Sequence, residues 1–294
     1  MKVYRNKKAG ENIIRTYDAL IKAWGIEVEE LDINTPYGTT HVIAAGDENN
    51  PPLMLFHGVG DDSALMWIYN AKFLSEYFRI YAIDTIGGPG KSRPNENYNK
   101  KFDDIVWIDS ILENLKLSKA FFAGVSNGGY LTKLYTAKRP EKIIKALSIS
   151  AAISTEDSEN QITAMMKIFL PEALFPTKKN VTKLIKKLSG INYAVFTENE
   201  TIMEHYTYLL RGFNNMAMTY HNVRAFDSIE VDIIREKTVF LLGLEDPFVK
   251  FGGKETIEKN SMKAFFYEGA GHGLNHEKAE EINKKIVEIL LNKI

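Results

Sequence analysis

The chain has 294 residues, 45% hydrophobic and 26% charged, an ordinary globular composition that is long enough for one sizeable core plus an insertion. Thirty-seven basic against thirty-eight acidic residues leave a formal charge of −1, so no global field draws nucleic acid or an anionic bilayer, and a small-molecule partner is expected. The lack of cysteine removes disulfides, thiolate metal sites and a cysteine nucleophile; with no apolar signal core and no run near the ~18 apolar residues of a membrane span, a cytoplasmic location is expected.

Residues 12–24 predict a short helix. IEVEELDI and THVIAA then alternate apolar and polar positions, as half-buried strands do, and the PYG turn at 36–38 makes them an antiparallel pair. The pattern then changes to short, near-continuous apolar runs: LMLF (53–56), FRIYAID (78–84), KAFFAGV (119–125), KALSIS (145–150), TVFLLG (238–243) and MKAFFY (262–267). Such runs are strands buried on both faces of a parallel sheet. Helical periodicity lies between them, over 103–116 with Ile105, Ile108, Leu112 and Leu115 on one face, and over 128–138 with Leu131, Leu134 and Tyr135, stopped by Pro140. The alternation predicts an α/β protein with a mostly parallel, eight-stranded sheet and helices on both faces.

One interval departs from it. Between Ala151 and Thr238 the period is helical, through VTKLIKKLSG, where Gly190 reads as a helix stop, and ETIMEHYTYLL. A helical lid over 153–236 is expected, inserted between a first core part, 1–152, and a second, 237–294. Met165, Met166, Met203, Met216 and Met218 fall inside it with Phe169, Phe175, Phe196, Tyr206, Tyr208 and Phe213; these either line an adaptable apolar pocket or pack the lid on the body. The run KKNVTKLIKK reads as a solvated helix face.

The stretch IDTIGGPGKSRP at 83–94 imitates a phosphate loop, since Gly90, Lys91 and Ser92 fit the second half of G-x-x-x-x-G-K-[ST]. The opening glycine is missing, with Thr85 in its place, and Pro94 stands where the obligatory helix would start. A glycine-rich turn leaving a strand, with Lys91 solvated, is expected instead.

The chemistry centres on Gly124-Val125-Ser126-Asn127-Gly128, directly after a strand and before a helix. A serine there sits on a tight, strained turn that pushes its hydroxyl out at the carboxyl edge of the sheet. It needs a histidine base and a carboxylate to fix the tautomer of that base. His272, in Gly269-Ala270-Gly271-His272-Gly273 beyond the last strand, is the expected base, with His276 second; His57 belongs to the loop after LMLF, His41 to a strand, and His205 and His221 to the lid. Asp246, followed by Pro247 after TVFLLG, is preferred to Glu245 as the carboxylate. The oxyanion of an acyl-transfer intermediate would be met by two backbone amides, that of Asn127 after the nucleophile and that of Val59 in His57-Gly58-Val59-Gly60.

These motifs resemble the α/β-hydrolase superfamily, and more narrowly the bacillary carboxylesterases of the naproxen-esterase type. The likeness rests on THVIAAGDENNPPLMLFHG, FRIYAIDTIGGPGKSRP, GVSNGG and GAGH, and is weakest in the lid. It implies an α/β-hydrolase fold, a triad of Ser126, Asp246 and His272, and oxyanion amides from Val59 and Asn127. It also implies that Asp84 and the glycines after it form the turn that commonly reads D-x-x-G-x-G-x-S, with an extra glycine and proline. A serine at the elbow disfavours the epoxide and haloalkane hydrolases, which use aspartate there. The expected activity is cleavage of a small to medium apolar ester through an acyl-enzyme, without a cofactor. A carbon–carbon bond hydrolase with the same triad and a low-turnover ligand-binding protein are the alternatives.

Overall fold

A computed structural model describes residues 2–155, Glu172 and 175–292. Its strands are β1 (Glu29–Thr35), β2 (Gly38–Ala45), β3 (Pro52–Phe56), β4 (Arg79–Ile83), β5 (Arg93–Pro94), β6 (Ala120–Val125), β7 (Ile143–Ile149), β8 (Thr238–Gly243) and β9 (Ala264–Tyr267). They form one sheet in the order β1-β2-β4-β3-β6-β7-β8-β9. The hairpin β1–β2 is antiparallel, β2 lies antiparallel to β4, and every pair from β4 to β9 is parallel. The eight expected strands are joined by β5, which adds two pairings, Gly38 with Pro94 and Thr39 with Arg93. Two residues carry no periodicity, so this strand leaves no trace in the apolar pattern.

Both faces of the sheet are covered, which is why its strands read as continuous apolar runs. Leu53 and Leu55 of β3 enter a core shared with the N-terminal helix and the C-terminal helix Ala279–Leu291. Met54 and Phe56 of the same strand enter the opposite core, with Trp107, Ile108, Ile111 and Leu112 from helix Asp104–Asn114 and Leu131 and Tyr135 from helix Asn127–Lys138. The N-terminal helix, Lys7–Ala23, starts five residues earlier than its apolar pattern. The side chain of Asn6 caps it by accepting from Ala9 N at 2.9 Å, so a polar first turn is held by hydrogen bonding that hydrophobic spacing does not register.

The glycine-rich turn after β4 is built around Asp84. Its carboxylate accepts from Tyr17 Oη (2.9 Å), Ser63 N (3.1 Å) and Lys91 N (2.7 Å), while its carbonyl accepts from Ser92 Oγ (2.6 Å). A carboxylate therefore occupies the place where a phosphate would have to sit. Lys91 departs from expectation: it is not solvated but 17% exposed, lying against the Tyr17 ring and paired with Asp18 at 2.7 Å and with Glu30. Two carboxylates that are distant in sequence converge on it, and only the fold brings them there.

Between β7 and β8 the chain leaves the sheet and comes back beside its departure point, where Phe226 N bonds Ser154 O at 2.9 Å. The described part of this excursion holds helices Lys178–Leu188, Ala194–Thr197 and Glu200–Gly212. Met165, Met166 and Phe169 lie outside the described residues. Met203, Met218, Phe196 and Phe213 are buried, and Tyr206 and Tyr208 pack on the core shared with the N-terminal helix; Met216 and Phe175 are exposed. Packing on the body thus takes most of the described apolar residues of the segment. The lysines of KKNVTKLIKK lie opposite buried Val181, Leu184, Ile185 and Leu188, and three of them are engaged, Lys183 and Lys187 by Glu172 and Lys186 by the Tyr193 ring.

Candidate active site

Ser126 stands between the last residue of β6 and the first of helix Asn127–Lys138, with φ 56° and ψ −118°. A side chain held there costs of order 1–3 kcal/mol, and the surrounding packing keeps it in place. The flanking glycines explain how. A Cβ on Gly124 would stand 2.1 Å from Gly128 O, and one on Gly128 would stand 2.2 Å from Phe56 O, so strand, helix and β3 meet closer than any side chain allows. Ser126 N bonds Ile149 O of β7 at 2.9 Å, which locks the turn into the sheet edge. No hydrogen bond to the Ser126 hydroxyl is formed among the described residues; hydrogen bonds of this kind are commonly loose before substrate is bound.

Because β6, β7, β8 and β9 are successive and parallel, the loops after them open at one edge. The loop after β8 buries Asp246 completely, and the loop after β9 carries His272. His272 Nδ1 lies 2.8 Å from Asp246 Oδ2, and Asp246 Oδ1 accepts from Phe248 N at 2.9 Å. With Nδ1–H donated to the carboxylate, Nε2 is left as an acceptor. Burial pulls the His272 pKa down, but the Asp246 charge, its hydrogen bond and the more distant Glu277 outweigh it and hold the imidazole above its ordinary value. Glu245, the rejected carboxylate, is exposed and pairs with Lys250 at 2.6 Å. His276, the second choice as base, is buried with Nε2 3.0 Å from Leu65 O and its ring beside Phe196; burial lowers its pKa to about 4, so it is a neutral structural donor.

The loop after β3 lies against the elbow: a Cβ on Gly58 would stand 3.3 Å from Ser126 Cβ. Neither Val59 N nor Asn127 N has a hydrogen-bond acceptor among the described residues, and the Val59 side chain is half exposed. The loop is held from beneath by His57, fully buried, whose Nε2 accepts from Thr85 N at 2.9 Å and whose Nδ1–H donates to Gly58 O at 2.8 Å. Burial lowers its pKa, which suits the neutral tautomer that this pair of bonds requires.

A family model described as alpha/beta hydrolase fold matches residues 51–181. Naproxen esterase (carboxylesterase NP) from Bacillus subtilis superposes with a TM-score of 0.80 over 97% of this chain and 99% of its own, at 23% identity. The fold is that of the α/β hydrolases. Among curated proteins, carboxylesterase YbfK of B. subtilis (strain 168) is 35% identical over 145 residues, 49% of either chain. An uncharacterized carboxylesterase, nap, of the same organism is 34% identical over 143 residues, 49% of this chain and 47% of its own. The matched stretch thus spans about half the length of those curated relatives. A meta-cleavage product hydrolase from Pseudomonas fluorescens shares the α/β-hydrolase fold more distantly, with a TM-score of 0.71 and 19% identity over 89% of this chain and 97% of its own.

Around this edge of the sheet the structure assembles groups that sequence reasoning missed. His205 Nε2 lies 2.7 Å from Asp62 Oδ2, both fully buried, and His205 Nδ1 lies 2.7 Å from Thr16 Oγ1. His221 Nδ1 lies 2.6 Å from Asp104 Oδ1, with Nε2 2.7 Å from Ile86 O. Each pair joins the excursion between β7 and β8 to the body. One signal existed, two histidines in a segment otherwise read as apolar packing, but their carboxylates lie 143 and 117 residues away. Among the described residues no helix is long and apolar enough to cross a membrane.

Proposed function

We propose that this protein is a serine carboxylesterase that cleaves small to medium apolar esters through an acyl-enzyme. The observation that carries the proposal is the 2.8 Å bond between His272 Nδ1 and the buried Asp246, at the sheet edge where Ser126 is held in a strained elbow. The carboxylesterase names of the two curated relatives support it for the stretch they share.

In this mechanism His272 Nε2 takes the Ser126 proton as Oγ attacks the ester carbonyl carbon. The negative charge that develops on the carbonyl oxygen is met by the amides of Val59 and Asn127, whose N–H groups have no other acceptor among the described residues. Collapse breaks the carbon–oxygen bond, and the imidazolium returns its proton to the departing alcohol. A water, deprotonated by the same nitrogen, then attacks the acyl carbon and releases the carboxylic acid and free Ser126. Asp246 accepts from Nδ1 throughout and keeps the tautomer in register. The half-exposed Val59 beside the elbow favours an apolar acyl or alcohol part.

Ser126→Ala tests this. Turnover of p-nitrophenyl acetate and butyrate should fall by about 10⁴-fold or more, and fluorophosphonate labelling should vanish, with the circular dichroism spectrum unchanged. Turnover at the wild-type rate would refute it. Cleavage of a vinylogous diketone acid with little ester turnover would move the assignment to carbon–carbon bond hydrolysis.

A further inference from the structure

Glu277 is buried at the start of the C-terminal helical region, and the mechanism above gives it no task. Its two carboxylate oxygens are used separately. Oε1 accepts from Gly271 N at 3.0 Å, the amide next to His272, and Oε2 accepts from Gly190 N at 2.7 Å, in the excursion between β7 and β8. The two backbones so joined also bond each other, His272 N to Leu188 O at 2.6 Å and Ile191 N to Gly269 O at 2.9 Å. They touch so closely that a Cβ on Gly190 would stand 2.0 Å from Gly269 O, and one on Gly271 2.3 Å from Leu188 O. Four hydrogen bonds thus fix the loop that carries the base to a segment 80 residues earlier, and one side chain supplies the acceptors for two of them.

We propose that Glu277 is a positioning residue for His272, clamping the amides of Gly271 and Gly190 so that the base and the Leu188–Ile191 segment keep one fixed relation. This rests on the esterase assignment for the role of His272, but not for the clamp itself. The charged and titratable groups that face the pair are Asp246 from the loop after β8, bonded to His272 Nδ1, and Glu277 from the helical turn after His272; the Phe248 ring lies 5.0 Å from the imidazole, and the excursion presents the Gly190 amide and the Leu188 carbonyl. Burial pushes the Glu277 carboxyl up, while its two backbone amides favour the ionised form.

Glu277→Gln keeps the shape, removes the charge and turns one acceptor into a donor facing an N–H. It should lower kcat by about 10- to 100-fold with KM within threefold, because the base is misplaced while the substrate pocket is kept. It should also move the acid limb of the kcat/KM profile to lower pH, since a negative charge near His272 is lost. A kcat within threefold of wild type, or a fall in kcat with the acid limb unmoved, overturns the proposal. NMR titration of the His272 ring in both proteins reads the same charge effect without substrate, so failure of the esterase assignment, seen as turnover that Ser126→Ala does not touch, is told apart from failure of the clamp. If Glu277→Gln does not fold, hydrogen exchange of the wild type decides: the Gly190 and Gly271 amides should both be protected although they lie outside regular structure, and exchange of either at the rate of an open loop overturns it.

Discussion

In the proposed mechanism His272 is the residue on which the chemistry turns, and opposing effects set its proton affinity. Burial alone would lower its pKa, but the Asp246 carboxylate raises it beyond the ordinary imidazole value, so the neutral base is lost at a higher pH than for a free histidine. The acid limb of kcat/KM should therefore lie above pH ~6.5, with activity present above it and lost as pH falls through it. Asp246→Asn should remove that support and lower kcat by about 10⁴-fold; a pH profile taken on wild type and variant checks both, and an acid limb below pH ~6 in the wild type would contradict the account. All three triad candidates, Ser126, Asp246 and His272, are visible in the sequence because Ser126 directly follows an apolar run and the other two lie in the short loops after one, so local pattern alone places them near strand ends. Glu277 is not visible in that way. It lies on a helical turn with nothing to distinguish it from its neighbours Glu280 and Glu281, and its partners are backbone amides, which carry no residue signature.

Among the elements, helix Asn127–Lys138 buries a lysine. Lys133, 1% exposed, donates to Ser148 Oγ at 2.8 Å and Ala151 O at 3.0 Å over the Phe240 ring, with no carboxylate beside it among the described residues, and burial alone lowers its pKa to about 7. In the unfolded chain the amine titrates near 10.4, so between pH ~7 and ~10.5 the unfolded state binds the extra proton and stability rises with pH. Urea unfolding should show the wild type gaining on the order of a few kcal/mol relative to Lys133→Met from pH 7 to pH 10; parallel curves would contradict it. The excursion between β7 and β8, by contrast, is tied to the body by buried pairs. Burial raises the Asp62 carboxyl, yet the His205 imidazole beside it, together with the amide of Leu65, holds it below the ordinary range, so its contribution is present above pH ~4 and lost only below it. His205→Ala leaves that carboxylate buried and unpaired, and should cost about 3–5 kcal/mol at neutral pH in the same unfolding measurement. Neither Lys133 nor His205 shows its burial in the sequence: a lysine inside an amphipathic helix and a histidine in ETIMEHYTYLL read as ordinary surface positions until tertiary packing encloses them.

Over the whole molecule, the kind of sheet was legible in the alternation of strands and helices, whereas the strand order was not. Runs buried on both faces demanded a parallel sheet with helices on either side, and the sheet from β3 to β9 has that form. What escaped was held by polar contacts that apolar spacing does not register: the extra strand β5, the capped start of the N-terminal helix, and Lys91, expected in solvent but held by Asp18 and Glu30. At the carboxyl edge, Asp84 accepts from Ser63 N just after the loop that carries Val59, and Glu277 accepts from Gly271 N in the loop that carries His272. The central claim is that Ser126 becomes covalently acylated, and the most direct measurement is peptide mass spectrometry after acid quench of the enzyme with p-nitrophenyl butyrate. The account predicts a butyryl group on the peptide carrying Ser126, formed above the acid limb, suppressed below it and absent from Ser126→Ala. A butyryl group on another residue, or ester turnover that persists once fluorophosphonate has modified Ser126, would contradict it.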